Sequence, residues 1–238
     1  MKAMLLAAGF GTRLRPLTNS IPKCLVPIQG KPLMEYWLEM FHIADISPVI
    51  VNLHYLADQV ENYIRSCRYT DTIIPVYEQT LLGTAGTLLA NRTYFETDQI
   101  FMAHGDNLSV FDMNAFIKTH DSRPDNCEIT MMTFKTDTPE TCGIVELDRN
   151  NIVQEFHEKV AHPPGNLANG AVYILEPTVI DFLDSLGKVQ IDFSTEVLPF
   201  YLGKINTFHN SVYHRDIGSI KSYHQANNEF HRLSTNGV

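Results

Sequence analysis

The chain has 238 residues, of which 44% are hydrophobic and 19% are charged, and its formal net charge is −9. This length allows one domain with a sizeable core, and the composition is that of a globular protein. The acidic balance argues against nucleic acid or an anionic membrane surface as a partner. It leaves anionic small molecules open, because only the local field matters to them.

The chain shows no sign of a membrane segment or of a disulfide framework. No apolar stretch approaches the roughly 20 residues needed to span a bilayer, and the N-terminus does not resemble a signal peptide. The cysteines Cys24, Cys67, Cys127 and Cys142 form no C-x-x-C pair. The spacing of the ten histidines matches no metal-ligand set. We therefore expect a reduced, cytoplasmic protein.

The first half of the chain alternates strands and helices. The predicted strands are residues 2–7, 48–53, 72–78 and 99–106, and the predicted helices start at Pro32, Leu56, Thr84 (as a cap) and Met113 (capped by Asp112). This alternation predicts a parallel sheet with helices on both faces. Ligands of such sheets bind beyond the carboxyl ends of the strands, where the glycine loop, Glu78 and Asp106 are expected.

After Cys127 strands dominate. The predicted strands are residues 128–134, 143–147, 151–158, 170–175, 204–208 and 211–218, and the predicted helices are 178–186, 194–202 and one from about Ser219. We expect a Rossmann-like three-layer α/β sandwich with a mainly parallel central sheet and a smaller β-rich part. It forms one domain, residues 1–238, with halves of approximately 1–125 and 126–238.

The segment MLLAAGFGTRLRPLT (4–18) carries a glycine turn after the first strand. A dinucleotide fingerprint fails, because Leu14 takes the third glycine position and no acid occurs in residues 1–34. An ATPase-type loop fails because no lysine follows Gly9 or Gly11, and the charged residue is Arg13, followed by Leu14. Outward-pointing backbone N–H groups can nevertheless bind an anion, and the guanidinium of Arg13 suits phosphate oxygens. Residues 1–34 contain five basic residues and no acid, which supports an anion site.

Several motifs occur in one order along nearly the whole chain. They are LAAGFGTRLRPLT, PKCLVPI, EQTLLGTAG, HGDN, GIVEL, EK, NGAVYI, DFSTE and RDIG. In this order they resemble the sugar-1-phosphate nucleotidyltransferases, and LLGTAG looks like the corresponding segment of mannose-1-phosphate guanylyltransferases. The resemblance implies transfer of a nucleoside monophosphate from a nucleoside triphosphate to a sugar 1-phosphate, with Mg²⁺ as cofactor and a sugar-binding second half.

The resemblance also implies roles for individual residues. Leu6, Ala7, Ala8 and Gly9 are expected at the nucleoside, Gly11, Thr12 and Arg13 at the triphosphate, and Lys23 where the phosphates meet. Asp106 and Asp216 are expected to share the magnesium ion. Gly143, Glu158, Lys159 and Asn169 are expected to bind the sugar phosphate. Glu78 and Gly83 align with the pair that contacts the base.

The carboxylate of Glu78 limits which base can bind beside it, because a carboxylate only accepts hydrogen bonds. Guanine offers adjacent N1–H and amino donors, whereas uracil and thymine offer one N–H between two carbonyls. This favours GTP and, with the LLGTAG segment, mannose 1-phosphate. A UTP- or CTP-dependent enzyme acting on another sugar 1-phosphate or on phosphocholine, and a non-catalytic regulatory homologue, stay open.

The sequence departs from the family pattern in places. Val160 follows Lys159 where relatives often have proline, and residues 212–215 just before Asp216 read VYHR where many relatives have a tryptophan. No C-terminal left-handed β-helix is expected, and monomer and homodimer both stay open. A glycosyltransferase would need an Asp-x-Asp metal motif, which Asp106-Asn107-Leu108 does not supply. A regulatory homologue commonly loses phosphate-binding residues, and Arg13, Lys23, Asp106 and Asp216 are all present.

Overall fold

The computed structural model describes residues 1–235, and its elements are numbered in chain order. The α-helices within these residues are α1 (Leu33–Ile43), α2 (Ala57–Ser66), α3 (Thr84–Ala90), α4 (Met113–Asp121), α5 (Thr178–Ser185) and α6 (Ile220–Thr235). The strands of the same part are β1 (Lys2–Leu6), β2 (Pro27–Ile28), β3 (Lys31–Pro32), β4 (Val49–Leu53), β5 (Ile73–Tyr77), β6 (Ile100–His104), β7 (Asn107–Val110), β8 (Ile129–Lys135), β9 (Gly143–Leu147), β10 (Val153–Glu158), β11 (Leu167–Leu175), β12 (Ile205–His209) and β13 (Tyr213–Asp216).

The chain forms two compact units, each built from separate pieces of the sequence. The glycine-loop unit consists of Leu5–Thr80, His104–Val110 and the part from Tyr213 onward. The hairpin unit consists of Met1–Met4, Leu81–Ala103 and Phe111–Val212. The assignment of one half to the nucleotide and the other to the sugar phosphate stays a prediction.

In the glycine-loop unit, β4 runs parallel to β5, from Val49 opposite Ile73 to Leu53 opposite Tyr77. All of β4 is buried, as expected of a parallel strand covered on both faces, and its sequence VIVNL is almost wholly apolar. Pro75 lies inside β5, which ends the strand order of the sheet. An edge strand tolerates proline because one row of its backbone groups needs no partner strand.

The loops of this unit are supported by a cluster of buried side chains. Its members are Leu14, Val26, Ile28, Leu33, Leu108, Ile217 and Ala226. Helix α1 presents its apolar face to the interior, where the fully buried Trp37 donates a hydrogen bond from Nε1 to the carbonyl oxygen of Asn107 at 2.8 Å. Burying one such leucine or isoleucine stabilises the fold by about 1.5–3 kcal/mol.

Strand β7 was not predicted from the sequence. The chain turns at Gly105 and Asp106 and continues as β7, which pairs antiparallel with β13 so that Asn107 lies opposite Asp216. The backbone N–H of Ile217 also donates to the carbonyl oxygen of Asp106 at 3.2 Å. β7 and β13 are more than 100 residues apart in sequence. Their pairing brings Asp106, which directly precedes β7, close to Asp216 at the end of β13.

The hairpin unit contains the strands predicted after Cys127. β10 pairs antiparallel with β9, β11 pairs antiparallel with β6, β8 and β9, and β12 runs parallel to β8. Residues 194–202 were predicted as one helix. They form instead a π-helical turn, Phe193–Val197, and a 3-10 turn, Leu198–Tyr201. Pro199 has no backbone N–H to donate, so a continuous α-helix does not form there.

Of the two predicted helix caps, one is confirmed and one is wrong. The carboxylate of Asp112 accepts a hydrogen bond from the N–H of Ala115 at 3.0 Å and caps α4. At α3 the cap position belongs to Gly83, and Thr84 is the first helical residue. The hydroxyl oxygen of Thr84 instead accepts a hydrogen bond from the N–H of Phe193 at 2.7 Å.

The predicted α/β class with a mainly parallel central sheet and helices is confirmed, with antiparallel pairs joining the strands of the hairpin unit. Beyond β13 the described residues form α6 and no β-helix. All four cysteines are free thiols. None of the helices in residues 1–235 is long and apolar enough to cross a lipid bilayer.

Candidate active site

The glycine loop follows β1 and is held by hydrogen bonds on both sides. The N–H of Ala7 donates to Oδ1 of Asn52 at 2.7 Å, and the hydroxyl of Thr18 donates to the carbonyl oxygen of Gly11 at 2.7 Å. Gly11 has φ 61°, and a Cβ there would lie 2.9 Å from the Thr18 methyl group and 3.1 Å from Cβ of Lys23. Only glycine fits this left-handed, close-packed position.

Residues 9 and 12 of the loop are exposed to solvent, whereas Ala7 and Ala8 are buried. The side chain of Leu6 at the end of β1 is partly buried. Binding of an anion by the backbone N–H groups of this turn stays a prediction. The side chain of Phe10 contacts the His54 ring edge-on, with centroids 5.2 Å apart.

Lys23 joins the two acidic residues that the sequence predicted as metal ligands. Its ammonium donates a short hydrogen bond to Oδ2 of Asp106 and lies 3.4 Å from Oδ1 of Asp216. The guanidinium of Arg13 lies 3.8 Å from Oδ2 of Asp216. The structure therefore brings Arg13, Lys23, Asp106 and Asp216 together within the glycine-loop unit.

The charges of this cluster support one another. Burial alone would lower the pKa of Lys23, but the carboxylates of Asp106 and Asp216 outweigh it and raise that pKa above its usual value. Burial alone would raise the pKa of Asp106, but the charge of Lys23 outweighs it and holds that pKa below its usual value. Lys23 is thus a cation and Asp106 an anion across the physiological pH range.

Apolar residues of the core hold the charged residues in place. Leu14, Leu108 and Ile217 are all fully buried and follow Arg13, Asp106 and Asp216 within one or two positions. Each loop is therefore anchored by a side chain in the core while the neighbouring charged group faces the cluster. The arrangement follows from alternation of apolar and polar residues at strand and turn ends.

Gly218 closes the cluster from the C-terminal side. A Cβ at this position would lie 2.5 Å from Oδ2 of Asp216 and 3.0 Å from a terminal nitrogen of Arg13. The RDIG motif therefore contributes a carboxylate and also the space that the carboxylate and guanidinium occupy. The sequence analysis assigned no role to this glycine.

The predicted base-contacting residue Glu78 lies at the end of β5 in the same unit. It is buried, and its Oε1 accepts a hydrogen bond from Nδ2 of Asn52 at 3.0 Å. The sequence analysis missed Asn52, although a polar residue inside the otherwise apolar strand VIVNL was a usable signal. A buried amide needs hydrogen-bond partners, and Asn52 finds them in the glycine loop and in Glu78.

Gly83 belongs to the hairpin unit, where it precedes α3 with φ 76°. A Cβ there would lie 2.5 Å from the carbonyl oxygen of Ile191, so the backbone directly before the DFSTE segment approaches this glycine closely. This contact explains the glycine sterically. A role at the base stays a prediction.

In the hairpin unit, Gly143 and Glu158 lie opposite each other on β9 and β10. A Cβ on Gly143 would lie 2.5 Å from the Phe156 ring and 2.7 Å from Oε2 of Glu158. Lys159 follows with φ 49°, and its ammonium bonds Oε1 of Glu158 at 2.5 Å. The two charged residues are paired, and the ammonium is mostly exposed to solvent.

Asn169 on β11 lies next to these residues, because Ala168 pairs with Ile144. Its Nδ2 donates to the hydroxyl of Tyr173 at 2.6 Å, and its Oδ1 accepts from the N–H of Ala171 at 2.9 Å. Burial raises the pKa of Tyr173, so the phenol stays protonated. The structure thus groups Gly143, Glu158, Lys159 and Asn169, and it adds Tyr173, which the sequence analysis did not single out.

The donor set of the glycine-loop unit fits the magnesium ion that the sequence predicts. Mg²⁺ prefers oxygen ligands and is commonly held by one or two carboxylates together with substrate phosphates. Asp106 and Asp216 offer two carboxylates that already share one cation, the ammonium of Lys23.

A second group of metal-ligand type occurs on the β9–β10 hairpin. Nε2 of His157 lies 2.9 Å from Oε1 of Glu146 and 3.4 Å from Oε2 of Glu155. The sequence analysis found no ligand spacing among the histidines, because this group forms across two strands. Its carboxylates are exposed and bond the imidazole of His157, an arrangement that needs no metal ion.

Comparison with known proteins identifies the family. The model of the family described as nucleotidyl transferase matches residues 2–232. The chain belongs to the nucleotidyl transferase family. The motifs from the glycine loop to RDIG lie within the matched range, as the resemblance in the sequence predicted.

Members of the nucleotidyl transferase family similar to this chain carry different specificities in their names. A UTP--glucose-1-phosphate uridylyltransferase of Synechocystis sp. is 32% identical over 95% of this chain and 62% of its own length. A mannose-1-phosphate guanyltransferase of Pichia angusta is 28% identical over 94% of this chain and 62% of its own length. The chain spans about three fifths of the length of these curated relatives.

A solved structure supports the fold. HddC from Yersinia pseudotuberculosis is 26% identical, and the alignment covers 96% of this chain and 99% of that one with a TM-score of 0.79. The nucleotidyl transferase fold is therefore matched over nearly the whole length of both chains.

Proposed function

We propose that this protein transfers a nucleoside monophosphate from a nucleoside triphosphate to a sugar 1-phosphate, with GTP and mannose 1-phosphate as preferred substrates. The observation that carries the proposal is the convergence of Arg13, Lys23, Asp106 and Asp216 beside the glycine loop of a nucleotidyl transferase family chain. This cluster combines the cations that phosphoryl transfer needs with the carboxylates that a divalent ion needs.

In this reaction an oxygen of the sugar 1-phosphate attacks the α-phosphorus and forms a new P–O bond. The bond from that phosphorus to the bridging oxygen breaks, and pyrophosphate leaves with the electron pair. The attacking group is already an anion, so no catalytic base is required. Catalysis is achieved by positioning and by neutralising charge in the transition state.

Lys23 and Arg13 have distinct tasks in this scheme. The buried ammonium of Lys23 contacts the phosphates where they meet, and the exposed guanidinium of Arg13 neutralises the leaving pyrophosphate. In this scheme the backbone N–H groups of Gly9, Gly11 and Thr12 in the glycine turn bind phosphate oxygens. Asp106 and Asp216 would hold the magnesium ion, which would supply additional positive charge to stabilise the reacting phosphates.

The sugar phosphate is assigned to the hairpin unit. Lys159 binds its phosphate. The carboxylate of Glu158 accepts hydrogen bonds from the sugar hydroxyls, and the amide of Asn169 can accept or donate them. Gly143 leaves room beside Glu158, since a side chain there would meet that carboxylate. The paired Glu158 and Lys159 carry opposite charges, as a ligand with one anionic and several hydroxyl groups requires.

The preference for GTP is supported by the carboxylate of Glu78 and by the guanyltransferase names among the relatives. The relative named as a uridylyltransferase favours a second candidate, a UTP-dependent enzyme acting on glucose 1-phosphate. The two candidates differ in the sugar 1-phosphate that receives the nucleotide, and they differ in the hydrogen-bonding groups on the base.

The test is a matrix of purified protein with four nucleoside triphosphates and several sugar 1-phosphates, including those of mannose, glucose and heptose, together with phosphocholine. Released pyrophosphate is measured with and without Mg²⁺. We expect the fastest turnover with GTP and mannose 1-phosphate. Fastest turnover with UTP would support the second candidate, and no turnover in any combination would indicate a non-catalytic regulatory homologue.

A further inference from the structure

Asn52 is a buried polar residue that links the glycine loop to the end of β5. Its neighbours in β4 are Val49, Ile50, Val51 and Leu53, and all five residues of the strand are buried. Its side-chain amide accepts a hydrogen bond from the backbone N–H of Ala7 at 2.7 Å and donates one to Oε1 of Glu78 at 3.0 Å. Both contacts lie within the glycine-loop unit.

The chemistry of these contacts fixes which end of the amide faces which partner. A backbone N–H only donates, so the group of Asn52 that faces Ala7 must be the oxygen Oδ1. The amino group Nδ2 then faces Glu78, and position 78 has to present a hydrogen-bond acceptor to it. The orientation follows from the donor on Ala7 and not from the similar shapes of oxygen and nitrogen.

The backbone of Glu78 is fixed as well. Its N–H donates to the carbonyl oxygen of Leu53 at 2.9 Å, and its carbonyl oxygen accepts from Nδ1 of His54 at 2.8 Å. The side chain at position 78 therefore starts from a fixed point and meets a fixed donor.

We propose that Asn52 is a positioning residue that sets the hydrogen-bonding character of position 78 and thereby selects the nucleobase. The inference rests on the proposed function, because it takes Glu78 as the residue that contacts the base. With glutamate at position 78, one oxygen accepts from Asn52, and the carboxylate has only hydrogen-bond acceptors to offer, which matches the N–H donors of guanine. With glutamine, the carbonyl must face Asn52, and the amino group is presented instead, which matches a carbonyl of uracil.

The proposal predicts that reversing the polarity at position 52 reverses the side chain at position 78. In Asn52→Asp combined with Glu78→Gln, one oxygen of the introduced carboxylate still accepts from Ala7, and the other accepts from the glutamine amino group. The glutamine then presents its carbonyl oxygen to the base, as glutamate does. Guanine selectivity lost in the single Glu78→Gln variant should return in the double variant.

The experiment measures kcat/KM for GTP and UTP, and GTP binding by calorimetry, in the wild type, Glu78→Gln, Asn52→Asp and the double variant. We expect Glu78→Gln to lower the GTP-to-UTP ratio by about tenfold or more, the effect of one hydrogen bond changed from favourable to repulsive. The double variant should recover most of that ratio. Asn52→Asp alone should bind GTP more weakly, because two carboxylates then face each other.

Asn91→Asp is the matched control. Asn91 is likewise a buried asparagine, and its Nδ2 donates a hydrogen bond to the carbonyl oxygen of Thr87 at 2.8 Å. Unlike Asn52, it lies in the hairpin unit. We expect it to lower the melting temperature without changing the GTP-to-UTP ratio. If the double variant does not fold, Asn52→Ala with Glu78→Gln replaces it, because without the donor the glutamine can turn either way and the ratio should rise above that of Glu78→Gln.

The outcomes separate this inference from the proposed function. A wild type indifferent to the base, or a Glu78→Gln variant that keeps full selectivity, would overturn the guanine assignment and the role of Asn52 with it. A GTP-selective wild type whose double variant, or its alanine replacement, stays as unselective as Glu78→Gln would overturn the role of Asn52 alone.

Discussion

At the scale of single residues, Lys23 serves two purposes that mutation can separate. It neutralises Asp106, which supports folding, and in the proposed reaction it also supplies a cation to the phosphates. The side chains of Asp106 and Asp216 have 27% and 53% of their surface exposed, so water screens their charges when Lys23 is lost. The folding contribution of Lys23 is therefore smaller than that of a fully buried ion pair.

We expect Lys23→Ala to lower kcat by about 10²–10³-fold, the usual effect of removing one group that stabilises transition-state charge. The free energy of unfolding should fall by only about 1–2 kcal/mol, below the roughly 3–5 kcal/mol seen when a fully buried pair is broken. Steady-state kinetics and urea denaturation measure the two effects. Lys31→Ala, which breaks the ion pair with Glu39 in the same unit, is the control and should leave kcat unchanged. Near-normal turnover in Lys23→Ala would contradict the role.

The same ion pair predicts how stability changes with pH. The pKa of Asp106 is lowered in the folded state, so its contribution is present above about pH 3.9, the unfolded value, and is lost as the pH falls. The pKa of Lys23 is raised, so its contribution is present below the ordinary value of 10.5 and is lost as the pH rises through the higher folded value.

Asp106→Asn should therefore cost more stability at about pH 7 than at about pH 3, because the wild-type carboxylate is protonated only in acid. Urea denaturation of both proteins at the two pH values gives the difference. An equal cost at both pH values would mean that Asp106 and Lys23 do not stabilise each other.

At the scale of elements, two glycines occupy positions where a side chain would meet a close neighbour. Gly218 and Gly83 differ in what a side chain would meet. At Gly218 it would meet the movable ends of Asp216 and Arg13, whereas at Gly83 it would meet the backbone oxygen of Ile191. The clash at Gly218 is relieved when the side-chain ends of Asp216 and Arg13 move, whereas the clash at Gly83 is relieved only when the backbone at Ile191 moves.

Gly218→Ala should therefore reduce kcat/KM by about tenfold or more with less than about 1 kcal/mol lost in stability, because catalytic geometry is sensitive to small displacements. Gly83→Ala should cost about 1–3 kcal/mol of stability from backbone strain and overpacking. Kinetics and thermal melting distinguish the two patterns. Gly165→Ala, where a side chain meets nothing within 4 Å, should change neither quantity.

Elements with a strong local pattern were predictable from the sequence. The apolar run VIVNL and the cap at Asp112 specify β4 and α4 through burial and hydrogen bonding within a few residues. β7 and the cap at Gly83 were missed because their partners, β13 and the segment at Ile191, are distant in sequence. Local propensity carries no information about such pairings.

At the scale of the whole molecule, the order of the motifs predicted the family, while the structure added the contacts between them. The cluster of Lys23 with Asp106 and Asp216 joins positions separated by 83 and 193 residues. The sequence could propose these residues only through the resemblance. The link from Ala7 through Asn52 to Glu78 carried no motif, and only the folded chain reveals it.

Removal of divalent ions tests how the whole protein uses its acidic cluster. In the structure Lys23 neutralises Asp106 and bonds Asp216, so the fold does not need a metal ion to offset these charges. Structural metal sites differ, because there the metal supplies much of the folding free energy and chelation unfolds the protein. We expect EDTA to stop pyrophosphate release while changing the melting temperature by less than about 2 °C, well under about 1 kcal/mol for a chain of this size.

Lys23→Met extends this test. Without the ammonium, Asp106 and Asp216 face each other with less compensation, and a divalent ion can take the place of the ammonium between the two carboxylates. Mg²⁺ should then raise the melting temperature of Lys23→Met more than that of the wild type, with no nucleotide present. Equal shifts in the two proteins would show that Lys23 and the metal ion do not share these carboxylates, and EDTA-induced unfolding of the wild type would show that the metal is structural.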